Sequence, residues 1–501
     1  MKLCCRTAVK VQSTIPEELL ESNISRRIHK IVQRVAQSLF IDKERIQKMD
    51  PLHSKFPVLA QGYGVFITPV GGYIFSYEEH NGVKRPLNQC KSLNIQACAI
   101  LEHCTGSHTV KEMCRILEAK FEDTPPDLCN QILVFLGDAR ENGYIRYCDT
   151  SGEEMGLIQG SIDYYTPSQI LLETTAKCNL QCGHCYMCAG EPLPDELTTA
   201  QIIPILERLF TMGANLLDLS GGEILTKEGW DTLVKFCMTW GSPRILSNGT
   251  LITEDKANTI ARCGGVSIGL YGKDAETHEK ITGAKGSFER TCNGITLLTE
   301  KGVNTVASIL MVPFNMYQLE DIIQLAISFH CTGAQVGVIC PVGRSRDKQW
   351  ELSEKEREWL DQKMKEVKVK YSEIDIRWEE EKEEKEGLHT CGAGFVRWVV
   401  ASNGDVYPCA TLRVPIGNLV QKDPVDICKS DAVKFLQGLV APHAAMCGDC
   451  PYFYACKECH AQAFAHFLDV DNCQWVLQFE NAPEPFKSAV WEKYSTNIST
   501  K

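Results

Sequence analysis

Three cysteines lie close together in the sequence, Cys178, Cys182 and Cys185, with the spacing C-x3-C-x2-C. They follow a predicted strand, so all three would lie on one short loop. Three thiolates on one loop can bind three irons of a cubane [4Fe–4S] cluster and leave the fourth iron open to an outside ligand. A closed structural site would need a fourth protein ligand, and Cys188 lies outside the spacing. Because such spacing also arises by chance, the surrounding elements must support it.

A second group of cysteines lies towards the C-terminal end. It consists of Cys391, Cys409, Cys447, Cys450, Cys456, Cys459 and Cys473. Chance does not produce such clustering. On spacing alone, the C-x2-C pairs in this group are also typical zinc ligands. The sequence therefore predicts metal centres here and leaves both zinc and iron–sulfur open.

The composition of the chain indicates which partners and which cellular setting suit such metal centres. The chain has 501 residues, 25 cysteines and a net charge of −12. The absence of a basic stripe argues against nucleic acid as a partner. Apolar runs are too short to span a membrane, and the N-terminal residues lack the apolar region of a signal peptide. The cysteines are therefore expected as metal ligands and free thiols in a reducing, cytoplasmic setting.

Strand, loop and helix alternate from 169 to 345, which predicts a parallel α/β sheet with crossover helices. The predicted strands are 169–175, 215–220, 244–248, 265–271, 305–313 and 334–341. Six units suit either an open doubly wound sheet or a partial barrel. Unusual loops such as Gly221-Gly222-Glu223 and Ser247-Asn248-Gly249 end the strands, where ligands gather in a barrel.

Changes of pattern divide the chain into seven segments. They are a helical extension (1–56), a small α+β domain (57–150), a linker (151–168), the α/β core (169–345), a charged helical connector (346–386), a cysteine-rich domain (387–480) and a tail (481–501). The acidic run from Trp378 to Gly387 is typical of a solvated helical face or connector rather than of a binding site.

The cluster loop, CNLQCGHCY, resembles that of the radical S-adenosylmethionine (SAM) superfamily. SGGE, SNGT and SIGLYGKDAETHEKITGAKGSF are similar to counterparts in the same order, and together these matches cover 169–345. The resemblance implies a partial (β/α)6 TIM-like barrel in which SAM chelates the open iron of a [4Fe–4S] cluster. An electron from the cluster would then cleave SAM and release a 5′-deoxyadenosyl radical.

The same resemblance implies roles for individual residues. Cys178, Cys182 and Cys185 would hold the catalytic cluster. The SAM contacts would be Tyr186, Gly221, Gly222, Glu223, Ser247, Asn248 and Ser267. The two glycines would allow close backbone approach to the methionyl ammonium, with Glu223 as its counter-charge. Three basic residues remain candidates for the SAM carboxylate: Lys280, Lys285 and Arg290.

The second cysteine group resembles the SPASM domain, a module that usually holds two further [4Fe–4S] clusters. Carried over, the pattern assigns Cys391, Cys409 and Cys459 to auxiliary cluster I. It assigns Cys447, Cys450, Cys456 and Cys473 to cluster II. The chain would thus hold three clusters in all. One spacing departs from the family, since two residues rather than three precede Cys459.

Cluster I has only three protein ligands in this assignment, which leaves an iron open to a substrate thiolate or water. Cys428 is a candidate fourth ligand, although a free buried thiol is the simpler interpretation. Ala410 replaces the Asp that follows the second cysteine in enzymes that mature sulfatases, which counts against that branch.

The segment 57–150 resembles the winged-helix RiPP recognition element, where RiPPs are ribosomally made, modified peptides. The alternative is a generic helical cap on the barrel. The family domain binds a leader peptide by adding it as a strand to a sheet edge. The strands predicted at 62–77 could provide that edge. Five cysteines of this segment do not have the spacing of metal ligands, and burial on helices accounts for their presence: Cys90, Cys98, Cys104, Cys114 and Cys129.

The combination of these three domains resembles RiPP maturases. It implies a radical SAM enzyme that joins a peptide Cys sulfur to a carbon of another residue, a sactipeptide- or ranthipeptide-type thioether. The alternatives are another radical peptide modification, such as a carbon–carbon cross-link or epimerisation, and tetrapyrrole side-chain chemistry. Two further alternatives are not enzymes: an iron–sulfur electron carrier and a zinc-stabilised peptide-binding protein. The expected partners are a precursor peptide and an electron donor such as flavodoxin or ferredoxin.

Overall fold

The computed structural model describes residues 50–80, 83–121, 124–152, 155–380 and 391–490. The predictions for the N-terminal extension before residue 50, for the acidic run after Glu380 and for the tail after residue 490 lie outside them. The chain divides into two compact units. The first ends at Thr166 and includes 211–213, and the second comprises 167–210 and the chain from 214 onward.

The first unit combines two small sheets with three helices. Its elements are β1 (Phe56–Leu59), β2 (Tyr63–Thr68), β3 (Gly71–His80), β4 (Val83–Leu93), α1 (Ile95–Glu102), α2 (Val110–Lys120), α3 (Leu128–Glu141), β5 (Ile145–Cys148) and β6 (Leu157–Gly160). Helix α2 begins at Val110, because Thr109 and Glu112 form a reciprocal capping box just before it. The apolar faces of all three helices contribute to one core.

The strand order in the first unit corrects one expectation. The four-stranded sheet has the order β4-β3-β2-β6, and β1 pairs with β5 separately. Strands β2 and β3, which cover 62–77, are therefore interior and do not provide an edge. Within the described residues, the edges of this sheet are β4 and β6. Strand β6 lies in the predicted linker and pairs in parallel with β2.

Two cysteines of the first unit are not free thiols. Cys114 on α2 is bonded through sulfur to Cys129 on α3. The sequence analysis expected free thiols here. The pairing follows from helix packing, since α2 and α3 bury their apolar faces in the same core and bring the two side chains together. Cys98 and Cys104 remain free and buried, as expected.

The second unit begins with the alternating elements of the α/β core. They are β7 (Gln169–Glu173), α4 (Thr199–Met212), β8 (Leu216–Ser220), α5 (Trp230–Trp240), β9 (Arg244–Ser247), α6 (Glu254–Ile260), β10 (Gly265–Gly269), α7 (Ala275–Thr282), α8 (Ser287–Glu300), β11 (Thr305–Met311), α9 (Leu319–Ser328) and β12 (Gly333–Val338). All six predicted strands are present.

The remaining elements follow the core. They are α10 (Glu354–Lys370), β13 (Asp375–Trp378), β14 (Arg397–Val400), β15 (Asp405–Tyr407), β16 (Gly417–Asn418), α11 (Pro424–Cys428), α12 (Asp431–Gly438), α13 (Ala444–Cys447), α14 (Phe453–Cys456) and α15 (His460–His466). Strand β13 lies in the segment expected as a helical connector. No helix of the described chain is both long enough and apolar enough to cross a membrane.

The order of the parallel strands follows the chain. The large sheet runs β13-β12-β11-β10-β9-β8-β7-β14-β15-β16. Each crossover from β7 to β13 moves one strand in the same direction, without the reversal that defines a doubly wound sheet. This order is that of a barrel wall, and it places all six loops after β7–β12 at one edge.

The cysteine-rich region is joined to this sheet. Strand β14 pairs in parallel with β7, with Trp398 opposite Ile170. Trp398 is fully buried and donates its indole N–H to the carbonyl of Gly394 at 2.8 Å. The strand that leads into the cluster loop therefore has one neighbour from the core and one from beyond it.

We predict that Trp398→Ala lowers the unfolding free energy by about 3–5 kcal/mol, because it empties a fully buried site between β7 and the cysteine-rich region. The measurement is urea denaturation of the metal-free protein followed by circular dichroism. Trp359→Ala is the control, since Trp359 is 37% exposed and lies on the outside of α10. Equal midpoints for the two variants would contradict the prediction.

Candidate functional site

The cluster loop is closed at its base by backbone pairing. After β7, the N–H of Cys178 donates to the carbonyl of Gly190 at 2.9 Å, and the N–H of Gly190 donates to Ala176 at 2.9 Å. The three predicted cluster cysteines are thus held on one closed loop at the carboxyl end of β7.

The thiols of this loop are neighbours. Burial, followed by the charges of Cys178 and Cys185, raises the pKa of Cys182 to about 12. Burial also raises the pKa of Cys178, and the charge of Cys185 adds to this effect. Because burial, and after it the like charges nearby, disfavours ionisation, Cys178 and Cys182 stay protonated at neutral pH until a cation compensates them.

Two backbone N–H groups point at these sulfurs. Leu180 N lies 3.5 Å from the Cys178 sulfur, and Ala189 N lies 3.3 Å from the Cys185 sulfur. Such donors stabilise the thiolate form, which is the form that binds a metal. The loop is therefore arranged to hold thiolates once iron is bound.

A second loop supports the cluster loop from behind. Arg344, after β12, donates from Nε to the carbonyl of Cys182 and from Nη1 to that of Ala189, both at 2.8 Å. Its backbone N–H donates to the carbonyl of Cys185 at 3.1 Å. Gly343 has φ +61°, and a Cβ there would lie 2.4 Å from the Cys185 carbonyl oxygen. Only glycine fits this close approach without displacement.

The predicted Gly-Gly-Glu segment packs against the base of the cluster loop. Gly222 N donates to the Thr175 carbonyl at 2.7 Å, and Glu223 N donates to that of Lys177 at 2.9 Å. A Cβ on Gly222 would lie 2.3 Å from the Lys177 oxygen. The two glycines therefore permit backbone contact between this segment and the residues just before the first cysteine.

Glu223, Ser247 and Asn248 are brought together as a hydrogen-bonded group. The fully buried Glu223 carboxylate accepts from Ser247 Oγ at 2.9 Å and from the backbone N–H of Asn248 at 2.8 Å. Burial raises the pKa of Glu223, while these hydrogen bonds and Lys256 oppose the rise. The carboxylate thus ties the ends of β8 and β9 together.

Asn248 also reaches the cluster loop. Its Nδ2 donates to Asn179 Oδ1 at 2.9 Å and lies 4.0 Å from the Cys178 sulfur. Ser267 is buried on β10, one residue before Ile268, which is in register with Ser247. The predicted SAM-contacting residues of β8, β9 and β10 therefore occupy neighbouring strands beside the cysteines.

Tyr186 lies at a junction that the sequence did not reveal. Arg413 Nη1 binds the fully buried Glu173 carboxylate at 2.5 Å. The Arg413 guanidinium lies 5.7 Å from the Tyr186 ring centroid and 4.0 Å from that of Tyr407. The cluster loop, the end of β7 and the cysteine-rich region thus share one cation. Arg413 is separated from Glu173 by 240 residues of sequence, so no sequence spacing could indicate their pairing.

Three aromatic or imidazole rings pack beside the cluster loop. Tyr271 lies 4.8 Å from the His184 ring and 5.5 Å from that of His278. Burial raises the pKa of Tyr271, and the three cluster-loop thiols add to the effect. Burial lowers the pKa of His184 and of His278 to about 4, so both rings are neutral. Tyr271 and His278 lie in the segment 267–288 that resembles the radical SAM superfamily, and the sequence indicated no role for either residue.

Four of the C-terminal cysteines line one pocket. They are Cys447, Cys450, Cys456 and Cys473, and the pocket walls include Trp475 and Phe467. Burial raises the pKa of Cys456, and the other three thiols add to this rise. The backbone N–H of Trp475 lies close to both Cys447 and Cys473 and opposes the rise at each.

The other three cysteines form a second group, whose Cys459 also interacts with Cys456. Burial raises the pKa of Cys459 to about 12, and the thiols of Cys409 and Cys391 contribute. Leu412 N lies 3.2 Å from the Cys409 sulfur. Glu458 adopts a left-handed φ of +62° just before Cys459. This turn redirects the chain after Cys456, which accounts for two successive cysteines of the sequence serving different groups.

The donor sets fit iron–sulfur clusters. Each set consists of thiols whose charges interact, and backbone N–H groups are directed at several of the sulfurs. Among the residues that the structure describes, no three Cys, His, Asp or Glu side chains converge on a single metal ion. Cys428 is buried on α11, and its electrostatic neighbours are Asp423 and Lys429 rather than other thiols.

Three family models match the chain. Residues 172–326 match the radical SAM superfamily, 79–145 match coenzyme PQQ synthesis protein D (PqqD), and 391–460 match the SPASM iron–sulfur cluster-binding domain. The chain is a radical SAM enzyme with PqqD and SPASM domains. Its cofactors are SAM and [4Fe–4S] clusters.

Characterised relatives of this radical SAM enzyme come from Bacillus subtilis (strain 168). The sporulation killing factor maturation protein SkfB is 27% identical over 54% of this chain and 67% of its own length. The antilisterial bacteriocin subtilosin biosynthesis protein AlbA is 24% identical over 82% of this chain and 93% of its own length.

A solved structure has a similar fold. SuiB of Streptococcus suis bound to S-adenosylmethionine aligns with a TM-score of 0.57 and 12% identity, over 83% of this chain and 98% of SuiB. Because only 12% of the aligned residues are identical, the similarity to SuiB shows the fold alone. It includes both the parallel core and the regions that flank it.

We predict that Arg344→Met lowers the iron content by about four irons per chain after anaerobic reconstitution, because the cluster loop loses both side-chain hydrogen bonds that support it. The measurement is iron and acid-labile sulfide per chain. Arg346→Met, at an exposed position two residues later, is the control and should retain the wild-type content. An unchanged iron content in Arg344→Met would show that the loop holds its cluster without this support.

Proposed function

We propose that this radical SAM enzyme modifies a ribosomally made precursor peptide by joining a Cys sulfur to a carbon of another residue of the same peptide. The observation that supports this proposal most is the presence of a radical SAM site, a peptide-binding type of domain and two further thiol groups in one chain. The names of SkfB and AlbA describe maturation of a sporulation killing factor and biosynthesis of the bacteriocin subtilosin. Each thioether would remove two hydrogen atoms from the peptide.

The assignment of the core ligands is part of this proposal. Cys178, Cys182 and Cys185 would hold the catalytic cluster, and SAM bound there supplies a 5′-deoxyadenosyl radical that removes a hydrogen atom from the peptide. The N–H groups of Gly222 and Glu223 already donate to the carbonyls of Thr175 and Lys177, just before the cluster loop. The methionyl ammonium would therefore be received by carbonyl oxygens of this segment, while the buried Glu223 fixes the strand ends around it.

The remaining SAM contacts and the auxiliary ligands are proposed as the resemblance implies them. Tyr186, Ser247, Asn248 and Ser267 would complete the SAM site. Cys391, Cys409 and Cys459 would hold auxiliary cluster I, and Cys447, Cys450, Cys456 and Cys473 would hold cluster II. The division into a peptide-binding domain, an α/β core and a cysteine-rich domain is kept in this proposal, whereas β6 belongs to the first sheet and β13 to the large sheet. A reducing cytoplasm and a small electron-transfer protein of the flavodoxin or ferredoxin type fit the need for a reduced cluster.

The first unit offers one long exposed strand for a leader peptide. Strand β4 pairs with β3 on one side only in the described sheet, and residues 86–92 are exposed. Leu87 is 52% exposed on this strand. Because an edge strand presents unpaired backbone groups, we propose that the leader peptide pairs with β4 and contacts Leu87.

We predict that Leu87→Asp weakens binding of a fluorescent leader peptide at least several-fold, because it replaces an apolar contact by a charge on the proposed docking strand. The measurement is fluorescence anisotropy. Val70→Asp is the control, since Val70 is 55% exposed in the same unit but lies in the β2–β3 turn. Equal loss of affinity in both variants would place the leader elsewhere.

The proposed reaction is tested with the anaerobically reconstituted protein, SAM, a reductant and cysteine-containing precursor peptides. We expect 5′-deoxyadenosine, a peptide that is lighter by two hydrogens per link, and the loss of one alkylatable thiol per link. Cys185→Ala is the control, and it should produce neither nucleoside nor modified peptide.

Other outcomes separate the alternatives. A peptide that loses two hydrogens but keeps every thiol indicates a carbon–carbon cross-link. An unchanged mass with exchange of hydrogen from solvent indicates epimerisation. Formation of 5′-deoxyadenosine without any change in a bound peptide would refute the peptide-modifying proposal and leave the radical SAM chemistry intact.

A further inference from the structure

The cluster loop has no side chain of its own at Gly183, which lies between the second and third predicted cluster ligands. A Cβ added to Gly183 would lie 2.3 Å from Cη2 of Trp350 and 3.1 Å from Cε of Lys348. The N–H of Gly183 donates to the carbonyl of Ile281, near the end of α7, at 2.8 Å. Two side chains from the loop after β12 therefore cover the backbone of the cluster loop directly.

Two lysines lie over aromatic rings at this point. Lys348 Nζ is 5.0 Å from the centroid of the Trp350 ring. Lys280 Nζ, on α7, is 3.9 Å from the centroid of the Phe314 ring, in the loop after β11. The two rings meet edge to face, with their centroids 5.5 Å apart. Together these four side chains form one surface over the cluster loop, the lysine–aromatic face.

Both lysines carry their charge at the surface. Lys280 and Lys348 are exposed, whereas the two rings are half-buried. Within the part of the chain that the structure describes, neither lysine forms an ion pair. Lys273, two residues before α7, differs in this respect because it pairs with Asp321 at 2.9 Å. A ring beneath an ammonium group holds it in place without neutralising its charge.

The acidic residues next to these lysines do not cancel the charge of the face. Glu279 Oε1 accepts the backbone N–H of Gly286 at 2.6 Å. Asp347 is exposed and lies between two exposed cations, Arg346 and Lys348. The lysine–aromatic face and its sequence neighbours thus carry three positive charges against two negative ones. The chain as a whole has the opposite balance, with a net charge of −12.

The position of this face suits a partner that delivers electrons. The catalytic cluster would be held by thiolates on both sides of Gly183, and SAM cleavage requires an electron from outside the enzyme. A partner seated on the face would be separated from those ligands by the Trp350 ring and the glycine backbone. Because most of the chain is acidic, an acidic partner is repelled elsewhere and directed to this face.

We propose that the lysine–aromatic face is the docking site of the electron donor, a small electron-transfer protein with an acidic surface. One electron passes from the reduced partner to the catalytic cluster, the partner is oxidised by one electron, and no atom or proton is transferred. The inference rests on the electron donor of the proposed function and is independent of the peptide product. The predicted SAM contact Asn248 reaches the cluster loop at Asn179 and Cys178 instead.

The test compares two reductants of the anaerobically reconstituted enzyme, reduced flavodoxin below saturation and dithionite, which needs no docking. The readout is the rate of 5′-deoxyadenosine formation. We expect Lys348→Glu to lower the flavodoxin-driven rate about tenfold at low ionic strength and to leave the dithionite-driven rate unchanged. Added salt should slow the wild type with flavodoxin and narrow this difference. Lys235→Glu, at an exposed lysine of α5, is the control with the same change in charge.

A binding measurement covers both lysines. Oxidised flavodoxin is titrated into the iron-loaded enzyme, and we expect Lys280→Glu combined with Lys348→Glu to raise its Kd about tenfold or more. Lys348→Arg keeps the positive charge and should bind flavodoxin as the wild type does. A plant-type ferredoxin is used in parallel as a second acidic donor.

Three results would overturn the inference. The first is an equal flavodoxin-driven rate in Lys348→Glu and Lys235→Glu. The second is an equal loss with both reductants in Lys348→Glu, which would assign this lysine to binding of SAM or peptide. The third is a wild-type enzyme that works with dithionite but with neither donor protein. Absence of peptide modification with normal dependence on the donor would refute only the peptide chemistry.

Discussion

The burial of closely spaced thiols, together with the repulsion between their charged forms, is the constraint on which this structure depends. In each of the three cysteine groups, burial and neighbouring sulfurs raise thiol pKa values and oppose the charged form that binds iron. The iron-free chain must therefore hold its sulfurs together by contacts that do not involve the sulfurs' charge. It does so mostly with backbone hydrogen bonds, which carry no net charge and need no ligand to form.

The cluster loop shows how such support is distributed. Backbone hydrogen bonding between Cys178 and Gly190 closes the base of the loop. The Arg344 side chain donates to the Cys182 carbonyl within it, and Gly222 packs against the residues just before it. Each support comes from a different strand end of the same parallel sheet. Because the strands are in sequential order, every supporting loop lies at one edge, and a few ångströms of register error in any strand would separate them.

The sequence predicted the parts of the molecule that depend on local pattern. The six core strands and the grouping of the cysteines follow from short-range periodicity and spacing. The interior position of β2 and β3, the pairing of β6 with β2 and the Cys114–Cys129 bond could not be predicted, because each depends on which distant segments pack together. The same holds for the site, where Arg413 and Glu173 meet across 240 residues of chain.

The parallel pairing of β14 with β7 has a consequence for modular engineering of the enzyme. The SPASM region supplies a strand to the core sheet, so a cut before residue 391 would strip β7 of one neighbour and expose an apolar edge beside the cluster loop. Chimeras that exchange auxiliary modules between relatives should therefore place their junction after β14 and transplant the sequence beyond Val400. A graft designed at the apparent domain boundary would carry away part of the recipient's own sheet.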